Sequence, residues 1–117
     1  MTDSRPTPAS VVERFNAAWS AHDLEAALAL VSEDCLFDAS SPAPDGERFV
    51  GRSAIAKSWE PLFSDPNAVF TVEDALAGED HVVQQWRYDW DDGHVRGVDL
   101  FRVRGDRIVA KLSYVKG

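Results

Sequence analysis

The second half of this chain has the pattern of four strands joined by short turns, and that pattern limits the possible folds more than any other feature. After Pro66, stretches rich in strand-forming residues alternate with turn residues. The predicted strands are 70–77, 81–90, 95–104 and 108–115, and the predicted turns are 78–80, 91–93 and 105–106. Glycine and aspartate in such short connections are typical of hairpins, so we predict an antiparallel meander.

The first half of the chain has helical spacing instead. Thr7 followed by Pro8 is typical of a helix start, because the hydroxyl caps free backbone N–H groups and proline fits the first turn. The side chains that recur on one helical face are Val11, Phe15, Ala18, Trp19 and His22. A second helix is predicted to begin after Asp23, and residues 1–7 are predicted to form a disordered tail.

The middle of the chain is predicted to contain strands at 35–38 and 47–50 and a loop at 40–46. A third helix is predicted from Gly51. Pro61 is expected to end or kink this helix near Trp59, because proline lacks an N–H donor and clashes with the preceding turn. Helices followed by a run of hairpins indicate a single α+β domain over residues 1–117, in which one curved sheet carries helices on one face.

Charge and cysteine content exclude several classes of partner and site. The formal net charge is -8, so nucleic acid and anionic membranes would be repelled, and we expect neither as a partner. Cys35 is the one cysteine, which rules out an internal disulfide and a cysteine-based zinc site. No apolar run approaches the ~20 residues that span a membrane, and the start of the chain lacks the apolar core of a secretion signal. We therefore expect a cytoplasmic protein.

The histidines do not indicate a metal site. His22, His81 and His94 fall near the ends of predicted elements, and nothing near them has the spacing of metal ligands. The chain also lacks a glycine-rich phosphate loop and a nucleophile motif. We expect neither a metal ion nor a cofactor.

One acid lies on the more apolar face of a predicted strand. Alternate side chains of a strand point to opposite faces. From Val95 to Val103 the odd-numbered face consists of Val95, Gly97, Asp99, Phe101 and Val103. A carboxyl group in that position loses water, so it is either paired for structural reasons or kept for a function. Asp99 is therefore the leading candidate for a catalytic or binding residue.

The groups that face Asp99 depend on the turn before the last strand. A tight two-residue turn pairs Asp99 with Leu112 and places Tyr114 on the face of Asp99. A bulged turn shifts the register by one residue and brings Lys111 and Ser113 to that face. In the second case Lys111 could form an ion pair with the acid, which would suit a base or a polar contact better than a neutral donor. The residues alone leave both registers open, as well as a solvated Lys111 on the outer face.

Aromatic side chains are the other candidates for a pocket. Trp86, Tyr88 and Trp90 share one face of their predicted strand, where they would either line an apolar cavity or pack in the core. The hydroxyl of Tyr88 could donate to a ligand or to Asp99. The predicted pocket-lining residues are Phe15, Trp19, Trp59, Trp86, Tyr88, Phe101 and Ser113.

Three segments of the chain resemble a known superfamily. They are ERFNAAWSAHDLEAALALVSEDCLF, FVGRSAIAKSW and RGVDLFRVRGDRIVAKLSYVKG. Their order is similar to that of nuclear transport factor 2-like proteins, and within them the SnoaL-like, or polyketide-cyclase-like, branch. The resemblance implies a cone-shaped, strongly curved and mostly antiparallel sheet wrapped around a long N-terminal helix, with a pocket between them. It also implies a homodimer formed through the outer sheet face, where Val98 and Leu100 would lie.

The same resemblance assigns roles to individual residues. In the ketosteroid isomerase branch, an acid on the strand that matches VDLF donates to a developing oxyanion, and Asp99 holds that position. Phe15 stands where that branch has a tyrosine donor. Ala39 falls on the position of the general base, and Asp38 lies one residue earlier with its side chain facing the other way. The resemblance also favours the bulged register, with Lys111 in the pocket.

Two functions remain open from the sequence. The first is a pocket domain that binds a small apolar or amphipathic molecule. The second is a cofactor-independent isomerase, dehydratase, cyclase or hydrolase. In the second case Asp99 would be the acid or oxyanion donor, helped by Tyr88 or Lys111, with Asp38 as a base.

Overall fold

Three helices and a six-stranded sheet share one hydrophobic core in the computed structural model, which describes residues 6–116. The helices are α1 (Pro8–Ser20), α2 (Leu24–Ala29) and α3 (Arg52–Phe63). The strands are β1 (Val31–Asp38), β2 (Arg48–Val50), β3 (Val69–Ala77), β4 (His81–Trp90), β5 (Gly93–Arg104) and β6 (Arg107–Val115). Helix α1 lies against the four strands β3 to β6.

A capping box begins α1. The Thr7 hydroxyl accepts from the Ser10 backbone N–H at 3.1 Å, and the Ser10 hydroxyl oxygen accepts from the Thr7 backbone N–H at 2.9 Å. The predicted helix start is therefore confirmed. Of the predicted disordered tail, residues 1–5 lie outside the described residues. Thr7, at the end of that predicted tail, is the cap of α1 instead. The face that α1 buries consists of Val11, Val12, Phe15 and Ala18.

Helix α3 does not end near Trp59, so the predicted end at that residue is wrong. The helix continues through Pro61 to Phe63. A proline this close to the helix end removes one N–H donor but leaves few later turns to distort. Phe63 is buried against Trp19, with ring centroids 4.5 Å apart, and this packing stabilises the last turn.

The sheet has the strand order β2-β1-β6-β5-β4-β3 and is open. All neighbouring pairs are antiparallel except β1 and β6, which are parallel. The predicted meander of β3 to β6 is confirmed, as are the α+β class and the mostly antiparallel sheet around the first helix. Strand β1 begins at Val31 rather than at Cys35, since Val31 already pairs with Ile108.

A bulge in the last hairpin sets the register that matters for Asp99. Arg102 pairs with Ala110 and Val103 pairs with Ile108, so β6 has one extra residue between these pairs. Asp99 therefore lies opposite Ser113. The observed register is therefore that of the bulged alternative, but the turn itself is the tight two-residue one, with Arg104 paired to Arg107, and the extra residue lies within β6.

No helix within residues 6–116 has the length and apolar character needed to cross a membrane. The cytoplasmic location stays a prediction.

Candidate ligand-binding site

A cavity of about 400 Å³ lies between α1, α3 and the inner face of the sheet. Its wall is mostly aromatic, and the aromatic lining residues are Phe15, Trp19, Phe37, Phe49, Phe70, Trp86 and Tyr88. Side chains from the two ends of the chain therefore meet around one space. The charged residues in the lining are Asp99 and Lys111, and Ser113 lies beside them.

Asp99 is almost fully buried, at 2% exposure, and three side chains donate to it. Its Oδ1 accepts from the Ser113 hydroxyl at 2.7 Å and from Lys111 Nζ at 3.4 Å. Its Oδ2 accepts from Gln84 Nε2 at 3.5 Å. Because every neighbour donates, Asp99 acts here as an acceptor beside a cation, and the arrangement does not suit the oxyanion-donor role that the resemblance implies.

Lys111 comes from β6 and is 8% exposed. Its Nζ donates to Ser113 Oγ at 3.0 Å as well as to Asp99. Three aromatic rings surround the ammonium group, with centroids 4.9 Å away for Phe37, 5.4 Å for Trp19 and 5.9 Å for Phe101. An aromatic ring attracts a cation at such distances, so these rings and Asp99 together compensate the buried ammonium group for lost water contacts.

Gln84 and Asn16 complete the polar cluster, and sequence reasoning missed both. Gln84 is 1% exposed and lies directly across from Asp99 in the β4–β5 pair. Its amide exchanges two hydrogen bonds with the amide of Asn16, at 2.8 and 3.1 Å. The sequence does contain a signal for Gln84, because its position alternates with the same parity as Trp86 and Tyr88, so it shares their inward face.

The predicted pocket-lining residues divide into those that line the cavity and those that pack behind its wall. Phe15, Trp19, Trp86, Tyr88 and Ser113 line the cavity. Trp59 and Phe101, both 0% exposed, do not line it and instead pack around Phe15 in the core. They support the wall from behind.

Asp38 is not brought to the cavity. It is the β1 partner of Leu112, which alternates with Lys111 and therefore lies on the outer face of the sheet. Its carboxylate lies 3.8 Å from Arg48 Nε. The candidate role of Asp38 as a base in this pocket is therefore wrong, because the side chain is on the opposite side of the sheet.

Tyr88 is the lining residue with a phenolic group. Burial raises the pKa of Tyr88, and the negative charge of Asp65 adds to the effect. The hydroxyl therefore stays protonated around neutral pH and can donate to a bound molecule.

The SnoaL-like domain model matches residues 12–111, which is most of the chain. The chain belongs to the SnoaL-like family. An NTF2-like protein of unknown function from Mesorhizobium loti has 37% sequence identity and a TM-score of 0.87, with 100% of this chain and 97% of that one covered. No curated protein matches the chain in sequence.

More distant solved structures share the fold of this SnoaL-like domain. A proposed ketosteroid isomerase from Kribbella flavida has a TM-score of 0.81 at 16% identity, covering 94% of this chain and 78% of that one. A proposed polyketide cyclase from Pseudomonas putida has a TM-score of 0.74 at 22% identity, covering 95% and 92%. At these identities the likeness extends to the fold alone, and function depends on the side chains in the cavity.

Proposed function

We propose that this SnoaL-like domain binds a small, mainly apolar molecule in the cavity between α1, α3 and the sheet. The observation that carries the proposal is a space of about 400 Å³ with aromatic walls and one buried polar cluster. Ligand sites typically have volumes of ~300–1,000 Å³, apolar walls and a few polar groups that fix orientation. The polar cluster of Asp99, Lys111, Ser113 and Gln84 would fix the orientation here.

The test uses naphthalene as a neutral probe and amide NMR shifts as the readout. Ser58 lines the cavity from α3, whereas Ser53 on the same helix is exposed and outside that lining. Ser58→Phe fills the space, and Ser53→Phe is the matched control. We expect saturable shifts of amides around the cavity in the wild type and in Ser53→Phe, and at least tenfold weaker binding in Ser58→Phe. Equal binding by both variants would contradict the proposal.

A second candidate function is cofactor-independent isomerase, dehydratase, cyclase or hydrolase chemistry. The observation that favours it is a buried ion pair, Asp99 with Lys111, facing an apolar cavity, since charged groups in such places are common in catalytic sites. In this arrangement Asp99 would take up a proton rather than donate one. The test is exchange of the methyl protons of 2-acetylnaphthalene with D₂O, which wild type would accelerate and Asp99→Asn would not. No acceleration by the wild type would argue against this candidate.

We also propose a homodimer formed through the outer face of the sheet. Four residues form a continuous row of cross-strand partners there, in the order Leu76, Val83, Leu100 and Leu112. Tyr114 extends this outer apolar patch through its partner Val98, and it is 56% exposed. Contiguous apolar side chains on a sheet face favour a protein partner, and a second copy presents the same patch.

Sedimentation equilibrium at micromolar concentration tests the dimer. We expect the mass of two chains for the wild type and of one chain for Leu100→Glu, because the charge interrupts the apolar row. Leu62→Glu, which changes an exposed leucine of α3, is the control and should remain a dimer. A monomeric wild type would contradict the proposal.

A further inference from the structure

We infer that Lys111 selects ligands that present an uncharged carbonyl oxygen, and that Asp99 is the group that rejects carboxylates. This inference rests on the proposed function, because it concerns which molecules enter the same cavity. It follows from counting the hydrogen-bond donors of the polar cluster and from its net charge.

The donor count leaves a lysine N–H for the ligand. An ammonium group has three donors, and Lys111 uses two of them on Asp99 Oδ1 and Ser113 Oγ. The Ser113 hydroxyl hydrogen is used on Asp99, and both amide hydrogens of Gln84 are used on Asn16 and Asp99. Asn16 has a second amide hydrogen but does not line the cavity, whereas Lys111 does. The third N–H of Lys111 is therefore the donor of this cluster that a bound molecule can reach.

A second donor lies in the same wall. Tyr88 lines the cavity, and its protonated hydroxyl can donate to a bound molecule. The third N–H of Lys111 and the hydroxyl of Tyr88 therefore both favour an acceptor atom on the ligand.

The charge of the cluster decides which acceptor fits. Asp99 and Lys111 neutralise each other at 3.4 Å, and the surrounding rings offer little solvation. A carboxylate would bring a third charge into this apolar space and leave one negative charge uncompensated, which is strongly unfavourable. A ketone, aldehyde or ester oxygen accepts the same hydrogen bond without adding charge. The net charge of -8 on the chain further disfavours anions.

Three ligands with one bicyclic body separate these effects. They are 2-ethylnaphthalene, which has no acceptor, 2-acetylnaphthalene, which has a neutral acceptor, and 2-naphthoate, which has a charged one. We expect wild type to bind the ketone roughly tenfold or more tightly than the hydrocarbon, as a hydrogen bond to a charged donor provides. The naphthoate should bind more weakly than the hydrocarbon.

Two single variants should change this order in opposite ways. Lys111→Met removes the donor at similar length, so the ketone should lose its advantage over the hydrocarbon. Asp99→Asn leaves an uncompensated ammonium group, so naphthoate binding should rise at least tenfold. Lys57→Met changes an exposed lysine of α3 and should bind all three ligands as wild type does. If either single variant folds poorly, the double variant Asp99→Asn/Lys111→Met takes its place. It has no charge in the cluster and should prefer the hydrocarbon.

The outcomes distinguish this inference from the proposed function. If wild type binds the hydrocarbon in the cavity but binds the ketone no better, the inference is overturned and the binding function stands. If naphthoate binds wild type as tightly as the ketone, the role of Asp99 is overturned. If none of the three ligands binds, and Ser58→Phe behaves as Ser53→Phe does, both the binding function and this inference fail. The ligand comparisons on the wild type decide these outcomes even if the Asp99 and Lys111 variants do not fold.

Discussion

Ser113 lies directly across from Asp99 in the β5–β6 pair, and its hydroxyl donates to Asp99 Oδ1 at 2.7 Å. This short contact links the register of the last hairpin to the chemistry of the cavity. The same register places Lys111, two residues earlier on β6, within 3.4 Å of the same oxygen. A shift of one residue would turn both groups to the outer face of the sheet.

Replacing Ser113 by alanine should destabilise the protein measurably. The substitution removes the shortest hydrogen bond to a buried carboxylate, and loss of a partner of this kind costs about 1–3 kcal/mol. Ser53→Ala, at an exposed position on α3, should change the free energy of unfolding by less than about 0.5 kcal/mol. Urea unfolding of both variants measures the difference. Equal stability of the two would mean that the Ser113 contact is unimportant.

Gln84 and its sequence neighbour Gln85 give a matched pair for the missed part of the cluster. Gln84 is buried against Asn16 and Asp99, whereas Gln85 is exposed on the other face of β4. Gln84→Ala should lower the free energy of unfolding by about 1–3 kcal/mol, because it leaves buried polar groups unpaired. Gln85→Ala should stay within about 0.5 kcal/mol of the wild type. A reversed order in denaturant unfolding would contradict the inward placement of Gln84.

Gly97 permits the close packing of Trp86 in the cavity wall. A Cβ at this position would lie 2.5 Å from Trp86 Cζ2 and still closer to the Tyr114 carbonyl oxygen, which belongs to the backbone and cannot easily move. Gly97→Ala should therefore destabilise the protein by about 1–3 kcal/mol. Gly78→Ala is the control, because nothing lies within 4 Å of its added Cβ. A Gly97→Ala protein as stable as Gly78→Ala would show that the strands separate at little cost.

Cys35 should be unreactive in the folded protein. Burial raises the pKa of the Cys35 thiol from 9.0 to about 12, and the negative charge of Asp34 adds to the effect. The thiolate is the reactive form, so iodoacetamide at pH 8 should modify the chain in denaturant but not in buffer. Rapid modification of the native protein would contradict this burial.

The raised pKa of Cys35 also makes the stability of the fold depend on pH in the alkaline range. Since the folded-state pKa is the higher one, the unfolded chain loses the thiol proton first as the pH rises above 9.0. This contribution to stability is fully present below pH 9.0 and is lost progressively as the pH rises towards about 12. Cys35→Val should therefore lose less stability than wild type between pH 9 and pH 11, as urea unfolding at each pH would measure. An equal loss would mean that Cys35 titrates normally in the folded state.

The elements of the fold could be predicted because local signals agreed with tertiary packing. The strand–turn pattern after Pro66 gave the meander, and Thr7 with Pro8 gave the start of α1. The helix end predicted from Pro61 was wrong, because the local preference of proline carries no information about the packing of Phe63 on Trp19. Local propensity cannot include a contact between distant parts of the chain.

The candidate site could be predicted only in part. Asp99 stood out as an acid on an apolar face, but the identity of its partners depended on one bulged residue near Val109, which turn composition alone leaves open. Gln84 and Asn16 were missed because nearby aromatic residues, Trp86 and Phe15, dominate the pattern of their elements. The resemblance placed Ala39 at the position of the base and Asp38 one residue earlier, and the alternation of side chains along β1 directs Asp38 away from the cavity.

The most direct test of a ligand seated on the polar cluster is a crystal structure of the wild-type protein with 2-acetylnaphthalene. We predict that the naphthalene rings lie between Trp19, Phe37 and Trp86, with the carbonyl oxygen about 3 Å from Lys111 Nζ. A ligand bound in the cavity with its carbonyl directed away from Lys111 would contradict the carbonyl inference. A ligand found only on the protein surface would contradict the proposed binding function itself.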